Sequence, residues 1–171
     1  MSVLYVITAF LCQFLIASSF VPPTSTRIGG LFPQFGLDNS AQPDGRQLLA
    51  AFLMAVRDIN ADPHLLPNTT MLVALKDSRL NVGKTFFDSL ELVSTSFGGK
   101  GIDACIGAYT SGESSAAATV FTQFTTPQIS YSSTSPLLST KINYPYFART
   151  CPSDAFQGAA MADLVFKYYG W

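Results

Sequence analysis

Past Arg27 the chain alternates short apolar runs with longer segments whose apolar residues recur at helical spacing, and no other feature restricts its fold as tightly. Ile28 to Phe32 reads as a buried strand, followed by a Gly-, Pro- and Asn-rich loop from Pro33 to Pro43. Asp44 is placed to cap the next helix with Gln47 three residues on, and Leu48, Leu49, Phe52, Leu53, Val56 and Ile59 share one face of it. Asp62, Pro63 and Pro67 end that helix. Met71 to Leu75 reads as a second buried strand, Val82 to Thr95 as a helix with Phe86, Phe87, Leu90 and Leu92 among its apolar residues, and Ile102 to Ala108 as a third strand. Ser114 to Phe124 reads as a short helix, Gln128 to Tyr131 as a fourth strand, Phe147 to Thr150 as a fifth, and Ser153 to Tyr169 as a last helix capped by Ser153. Strands and helices alternating at this spacing predict right-handed βαβ units, hence an α/β fold whose parallel sheet carries helices on both faces.

Composition narrows the function classes. The 171 residues suit one domain, and 48% apolar against 12% charged residues supplies ample core and excludes intrinsic disorder. A net charge of −1, with ten Lys and Arg scattered singly, leaves no basic stripe for phosphates and counts against nucleic acid as a partner. Three cysteines and one histidine, without CxxC or HxxxH, offer no metal-ligating set, and no cofactor is implied.

The stretch from Val3 to Phe20 carries no charge, is interrupted by Gln13 and ends on Ala17, Ser18 and Ser19. It falls short of the roughly 20 apolar residues of a bilayer span and predicts a signal peptide over residues 1–19. An n-region without Lys or Arg keeps an uncleaved signal anchor as the alternative. In the secretory compartment the sequon Asn68, Thr69, Thr70 is a glycan acceptor. The aromatic ending Tyr168, Tyr169, Gly170, Trp171 announces a turn into a further strand, so the chain reads as an N-terminal fragment.

Ligands of open parallel sheets bind beyond the carboxyl ends of the strands, which selects two loops. Tyr109 to Ser115 leads from strand three into a helix N-terminus, where hydroxyls and free N–H groups suit a carboxylate or phosphate. Tyr131 to Ser135 follows strand four and offers acceptors to an ammonium. Ser and Thr also cap helices and fill turns without any ligand, and that reading stands beside the first. Gly112, Glu113, Ser114, Ser115, Ala116 is similar to a nucleophile elbow with Ser114 as nucleophile, the remote enzyme reading. Against it, the last glycine is replaced by Ala116 and His64, the one histidine, precedes Ser114 rather than following it. Cys105 and Cys151 either pair or remain a small core residue and a lone thiol. Arg46, near the start of the first helix, is a candidate partner for an acidic ligand side chain, while Asp77 and Ser78 either line the carboxyl edge or make a turn.

Three segments, Asp58 to Pro67, Pro127 to Ser139 and Tyr146 to Trp171, resemble the extracellular Venus-flytrap domain of class C G-protein-coupled receptors, in particular the metabotropic glutamate and calcium-sensing receptors. The opening Ile28 to Pro33 is more similar to type-B GABA receptors. The resemblance implies a type I periplasmic-binding-protein-like region over residues 27–171, comprising lobe one of a two-lobed domain and ending at the start of lobe two. It implies that Ser114, with Ser115 adjacent, holds an amino acid's carboxylate, and that Thr134, with Ser132 and Ser133, serves its ammonium and carboxylate. Ser114 to Thr134 is three residues shorter than its counterpart, a net helical rotation of roughly 60° that turns Ser114 off that place. Arg46 lies only near the position of the arginine that grips glutamate in some relatives. The implied function is an extracellular, plasma-membrane receptor region that binds an amino-acid-like zwitterion, dimerises and reaches a G protein through a transmembrane region. A natriuretic-peptide-type receptor domain and a soluble secreted binding protein are the alternatives.

Overall fold

The computed structural model describes residues 24–171, so the expected signal peptide lies outside the described residues. Five parallel strands, β1 (Ser25–Phe32), β2 (Thr70–Asp77), β3 (Ala104–Ile106), β4 (Gln128–Ser130) and β5 (Phe147–Arg149), form one sheet in the order β2-β1-β3-β4-β5. Helices α1 (Pro43–Ala61), α2 (Val82–Ser94) and α3 (Ser111–Gln123) make the first three crossovers, and a 3-10 turn, Pro136–Ser139, lies in the fourth. After β5, α4 (Asp154–Asp163) runs into a π-helical stretch, Leu164–Tyr168. No described helix is long and apolar enough to cross a membrane.

The strand order reverses at β1. Right-handed crossovers therefore put α1 on one face and α2 with α3 on the other. Adjacent residues of a strand point to opposite faces, and the end of β1 shows this. Leu31 joins Leu92, Cys105, Ala117 and Phe121 in the larger core cluster under α2 and α3. Phe32 instead meets Phe52 of α1, ring centres 5.4 Å apart. Leu31, Phe32, Leu92 and Phe121 are almost wholly buried, and each such side chain contributes roughly 1.5–3 kcal/mol by leaving water.

The structure corrects or refines the sequence reading in four places. Asp44 does not cap α1; Gln42 is the N-cap residue and makes no side-chain cap bond, while Pro43 and Asp44 fall in the first turn. That start is fixed by sterics, because a Cβ on Gly45 would lie 1.7 Å from the Pro33 carbonyl oxygen. Strand β2 has no buried residue, since it is the edge of the sheet. In α2 the exposed face carries Phe86 and Phe87, and the buried one carries Thr85, Ser89 and Leu92. The two hydroxyls are satisfied within the helix, Thr85 Oγ1 donating to the Asn81 carbonyl (2.8 Å) and Ser89 Oγ to that of Thr85 (2.7 Å), so burial costs them no hydrogen bond. Ser153 is the N-cap residue of α4, as its position predicts, yet makes no side-chain cap bond, and α4 has no buried residue at all.

Candidate functional site

The carboxyl edge beyond β3 and β4 is organised around buried serines. Helix α3 starts three residues earlier than the sequence suggests because Thr110 and Glu113 close a capping box: Thr110 Oγ1 accepts from the Glu113 N–H (3.3 Å) and the Glu113 carboxylate accepts from the Thr110 N–H (3.0 Å). Ser111 to Ser115 therefore belong to the first turns of a helix rather than to a loop. Ser114 is fully buried there. Its Oγ accepts from the Ala108 N–H (3.1 Å), donates to the Ala108 carbonyl (3.3 Å) and receives the hydroxyl of Ser133 (2.7 Å).

Ser133 is equally buried, and its loop is tied down from several sides. The Ser130 hydroxyl accepts from the N–H groups of Ser132 (3.3 Å) and Ser133 (3.0 Å) and donates to the Ala108 carbonyl (2.9 Å). Arg149, at the end of β5, donates through Nη1 to the carbonyls of Ser133 (3.2 Å) and Ser135 (2.9 Å). Ser111 Oγ accepts from the Ser135 N–H (3.1 Å), and the Thr134 carbonyl accepts from the Asp154 N–H at the start of α4 (3.0 Å). The structure thus brings Ser114 and Ser133 into direct contact, and leaves Ser115, Ser132 and Thr134 half-buried around them.

Two cavities open beside this frame. The larger, about 530 Å³, has Asp44, Gln47, Leu48 and Ala51 of α1 on one wall and Tyr109, Tyr131 and Ser132 on the other. It sits at the β1/β3 reversal of strand order, the position where open α/β sheets hold ligands. Its floor is aromatic: the Tyr131 ring stacks on Phe32 (5.3 Å, 4° between planes) and lies 6.4 Å from that of Tyr109. The Tyr131 hydroxyl donates to the Leu31 carbonyl at 2.8 Å. Burial, reinforced by the nearby Glu113 carboxylate, raises the Tyr131 phenol well above the ordinary range and keeps it a neutral donor. The smaller cavity, about 250 Å³, lies at the first turn of α3 and is lined by Ser111, Gly112, Ser115, Ser135 and Tyr144, together with Leu137 and Leu138. Ser115 Oγ and the Tyr144 hydroxyl share a hydrogen bond of 2.6 Å there.

Other candidates fall elsewhere. Arg46 does not line the larger cavity; its guanidinium stacks over Phe35, 4.6 Å from the ring centre. Asp77 makes a turn, accepting from the N–H groups of Gln34 (2.8 Å) and Arg79 (3.2 Å), while Ser78 Oγ is buried with no hydrogen-bond partner among the described residues. Cys105 and Cys151 are both free thiols, and pairing them is excluded by the sheet. Cys105 is on β3 and Cys151 follows β5, with β4 between them; two strand spacings of about 4.8 Å exceed the roughly 7 Å Cα reach of a disulfide. Cys105 is inert core, its thiol pushed far up by burial. Cys151 Sγ points at the Ser133 carbonyl, 3.4 Å away. His64 and the exposed Asn68 lie in the α1–β2 connection, at the amino ends of the strands and so at the opposite edge from Ser114. The arrangement that would make Ser114 a nucleophile is therefore not formed, since its one histidine is across the sheet and its hydroxyl is sealed in.

Sequence reasoning selected the two loops but missed Asp44 as a cavity wall and Arg149 as the clamp. The T-x-x-E spacing of Thr110 and Glu113 was a usable signal for the earlier helix start; nothing local to Arg149 announces that it reaches back across the loop.

Comparison with known proteins agrees with this architecture. The family described as "Receptor family ligand binding region" matches residues 47–171. The human "Extracellular calcium-sensing receptor" is 33% identical over 174 aligned positions, which cover 84% of this chain and 16% of that protein. The mouse receptor of the same name matches equally. "Glutamate receptor 3.1" of Oryza sativa subsp. japonica is 36% identical over 149 positions, 87% of this chain and 14% of that protein. The chain spans about a sixth or less of the length of the curated relatives it matches. A doubly wound parallel sheet, a cavity at its switch point and a family match over most of the chain lead to one assignment: the chain belongs to the family of receptor ligand-binding regions.

Proposed function

We propose that this chain is the first lobe of an extracellular class C G-protein-coupled receptor domain and that it binds an amino acid at the carboxyl edge of its sheet. The observation that carries the reading is the cavity of about 530 Å³ at the strand-order reversal, within the roughly 300–1,000 Å³ usual for small-molecule sites. The ligand carboxylate is held toward the first turn of α3, where Ser111, Gly112 and Ser115 face the smaller cavity at the same sheet edge and the helix end carries partial positive charge. Ser132, on the wall of the larger cavity, and Thr134 supply hydroxyls from the loop after β4. Ser114 and Ser133 hold the two loops in register rather than touching ligand, which supports the reading that Ser115 and Ser132 take the contacts. In an intact receptor a second lobe closes over this edge, and the closed state is favoured by as much as the ligand prefers it. The names of the relatives, calcium-sensing and glutamate receptors, support a small ligand. A signal peptide over residues 1–19, a glycan on Asn68, dimerisation and coupling to a G protein belong to the same reading.

The test is calorimetry of the full chain, produced through a secretory pathway, against a panel of free L-amino acids. Saturable heat with at least one of them, accompanied by a rise in thermal midpoint that grows with ligand concentration, is the expected result. Neither heat nor shift with any member overturns the reading.

A further inference from the structure

We infer that the larger cavity selects a ligand whose side chain is cationic, with Asp44 as its counter-charge. The inference rests on the proposed amino-acid site and names the class of amino acid. Among the residues lining that cavity Asp44 carries the one formal charge; Gln47, Tyr109, Tyr131 and Ser132 are neutral and polar, and Leu48 and Ala51 apolar. The nearest cation along the chain, Arg46, is stacked on Phe35, outside the cavity lining, and forms no ion pair with Asp44 among the described residues. A zwitterionic backbone brings no net charge, so the charge preference of the cavity is set by what the side chain carries. An acidic side chain meets the Asp44 carboxylate with no compensating cation. A basic one finds that carboxylate, in a cavity whose wall also carries the aromatic rings of Tyr109 and Tyr131, groups that attract cations where a ring face is open to them. Glutamate is thereby disfavoured and lysine or arginine favoured.

Titrations of the full chain with arginine, lysine, alanine and glutamate, followed by ligand-observed NMR at low and at high salt, test this. Arginine and lysine are expected to bind more tightly than alanine, and glutamate most weakly, with the order compressing at high salt. Because Asp44 is solvent-exposed, Asp44→Asn is expected to weaken lysine about three- to fivefold, the size of an exposed ion pair. Asp44→Glu keeps the preference, and Asp44→Arg moves it toward glutamate. Circular dichroism of each variant establishes that it folds, and Asp44→Arg carries the test if Asp44→Asn does not fold. If alanine or glutamate binds as tightly as lysine to the unaltered chain, the cationic preference is overturned while the amino-acid site stands. If none of the four binds, the cationic preference is overturned, and the calorimetric panel of all amino acids decides whether the site itself stands.

Discussion

The Ser133 hydroxyl donates to that of Ser114 across 2.7 Å, both side chains fully buried, and this bond joins the loop after β4 to the first turn of α3. It fixes the spacing between the two loops that flank both cavities. Ser133→Ala and Ser114→Ala each remove it, and Ser114→Ala also strands the Ala108 N–H. Leaving a buried group unpaired costs about 1–3 kcal/mol. Urea denaturation is expected to show Ser114→Ala as the more destabilised, with the double variant losing less than the sum because the two share one bond.

Gly45 has no room for a side chain, since its Cβ would overlap the Pro33 carbonyl, whereas Gly158 in α4 has open space around it. Gly45→Ala is expected to lower stability by at least about 1–3 kcal/mol through backbone displacement at the start of α1. Gly158→Ala is expected to increase helicity by circular dichroism, the gain being about 0.5–1 kcal/mol as for alanine over glycine in a helix interior.

Tyr131→Phe keeps the stack on Phe32 and removes only the hydroxyl that donates to the Leu31 carbonyl. A loss of about 0.5–1.5 kcal/mol in chemical denaturation is the expected outcome. A larger loss would mean that the ring itself had moved.

The Arg27 guanidinium hydrogen-bonds the Asp103 carboxylate, with the Arg27 N–H adding a further bond of 2.8 Å, and together they hold the Asp103 carboxyl below its usual range. A carboxyl depressed in the folded state stabilises it above the unfolded value, near pH 4, and that contribution fades as pH falls through the folded value. Asp103→Asn is therefore expected to lower the urea midpoint at pH 7, and the gap to the unaltered chain is expected to narrow below about pH 4.

Cys105 is sealed in the core and Cys151 is half-buried. Alkylation of the native chain followed by peptide mass spectrometry is expected to modify Cys151 ahead of Cys105, and the non-reduced digest is expected to contain no peptide joining the two.

Much of the fold is legible from local patterns because a fully buried strand and an amphipathic helix each leave a period in the residues that form them. The five strands and the long helices lie where the alternation predicts, within a few residues, as with Gln128–Ser130 and Pro43–Ala61. Which face a helix buries is harder to read. Phe86 and Phe87 are the more apolar residues of α2, yet Thr85 and Ser89 face inward, because the small side chains satisfy their hydroxyls on the preceding turn and Thr85 reaches Glu113 of α3.

The candidate site divides the same way. The two serine-rich loops are visible in sequence because strand ends followed by hydroxyl-rich turns mark the carboxyl edge of a parallel sheet. Their inner arrangement is not, since a hydroxyl that binds a ligand and one that binds a neighbouring loop look alike until the partner atoms are known: Ser114 and Ser133 turn inward on each other, Ser115 and Ser132 face different cavities. Asp44 reads as a helix cap from its spacing to Gln47 and becomes a cavity wall only when the contact of Gly45 with Pro33 sets where α1 begins. The separation of Cys105 from Cys151 likewise depends on β4 lying between their strands. Periodicity and composition alone determined the α/β class, the parallel order of elements and the edge proposed here to hold a ligand, because those follow from residues near one another in the chain. The direction of each side chain at that edge was decided by contacts between residues far apart in sequence, and only the folded sheet brings those together.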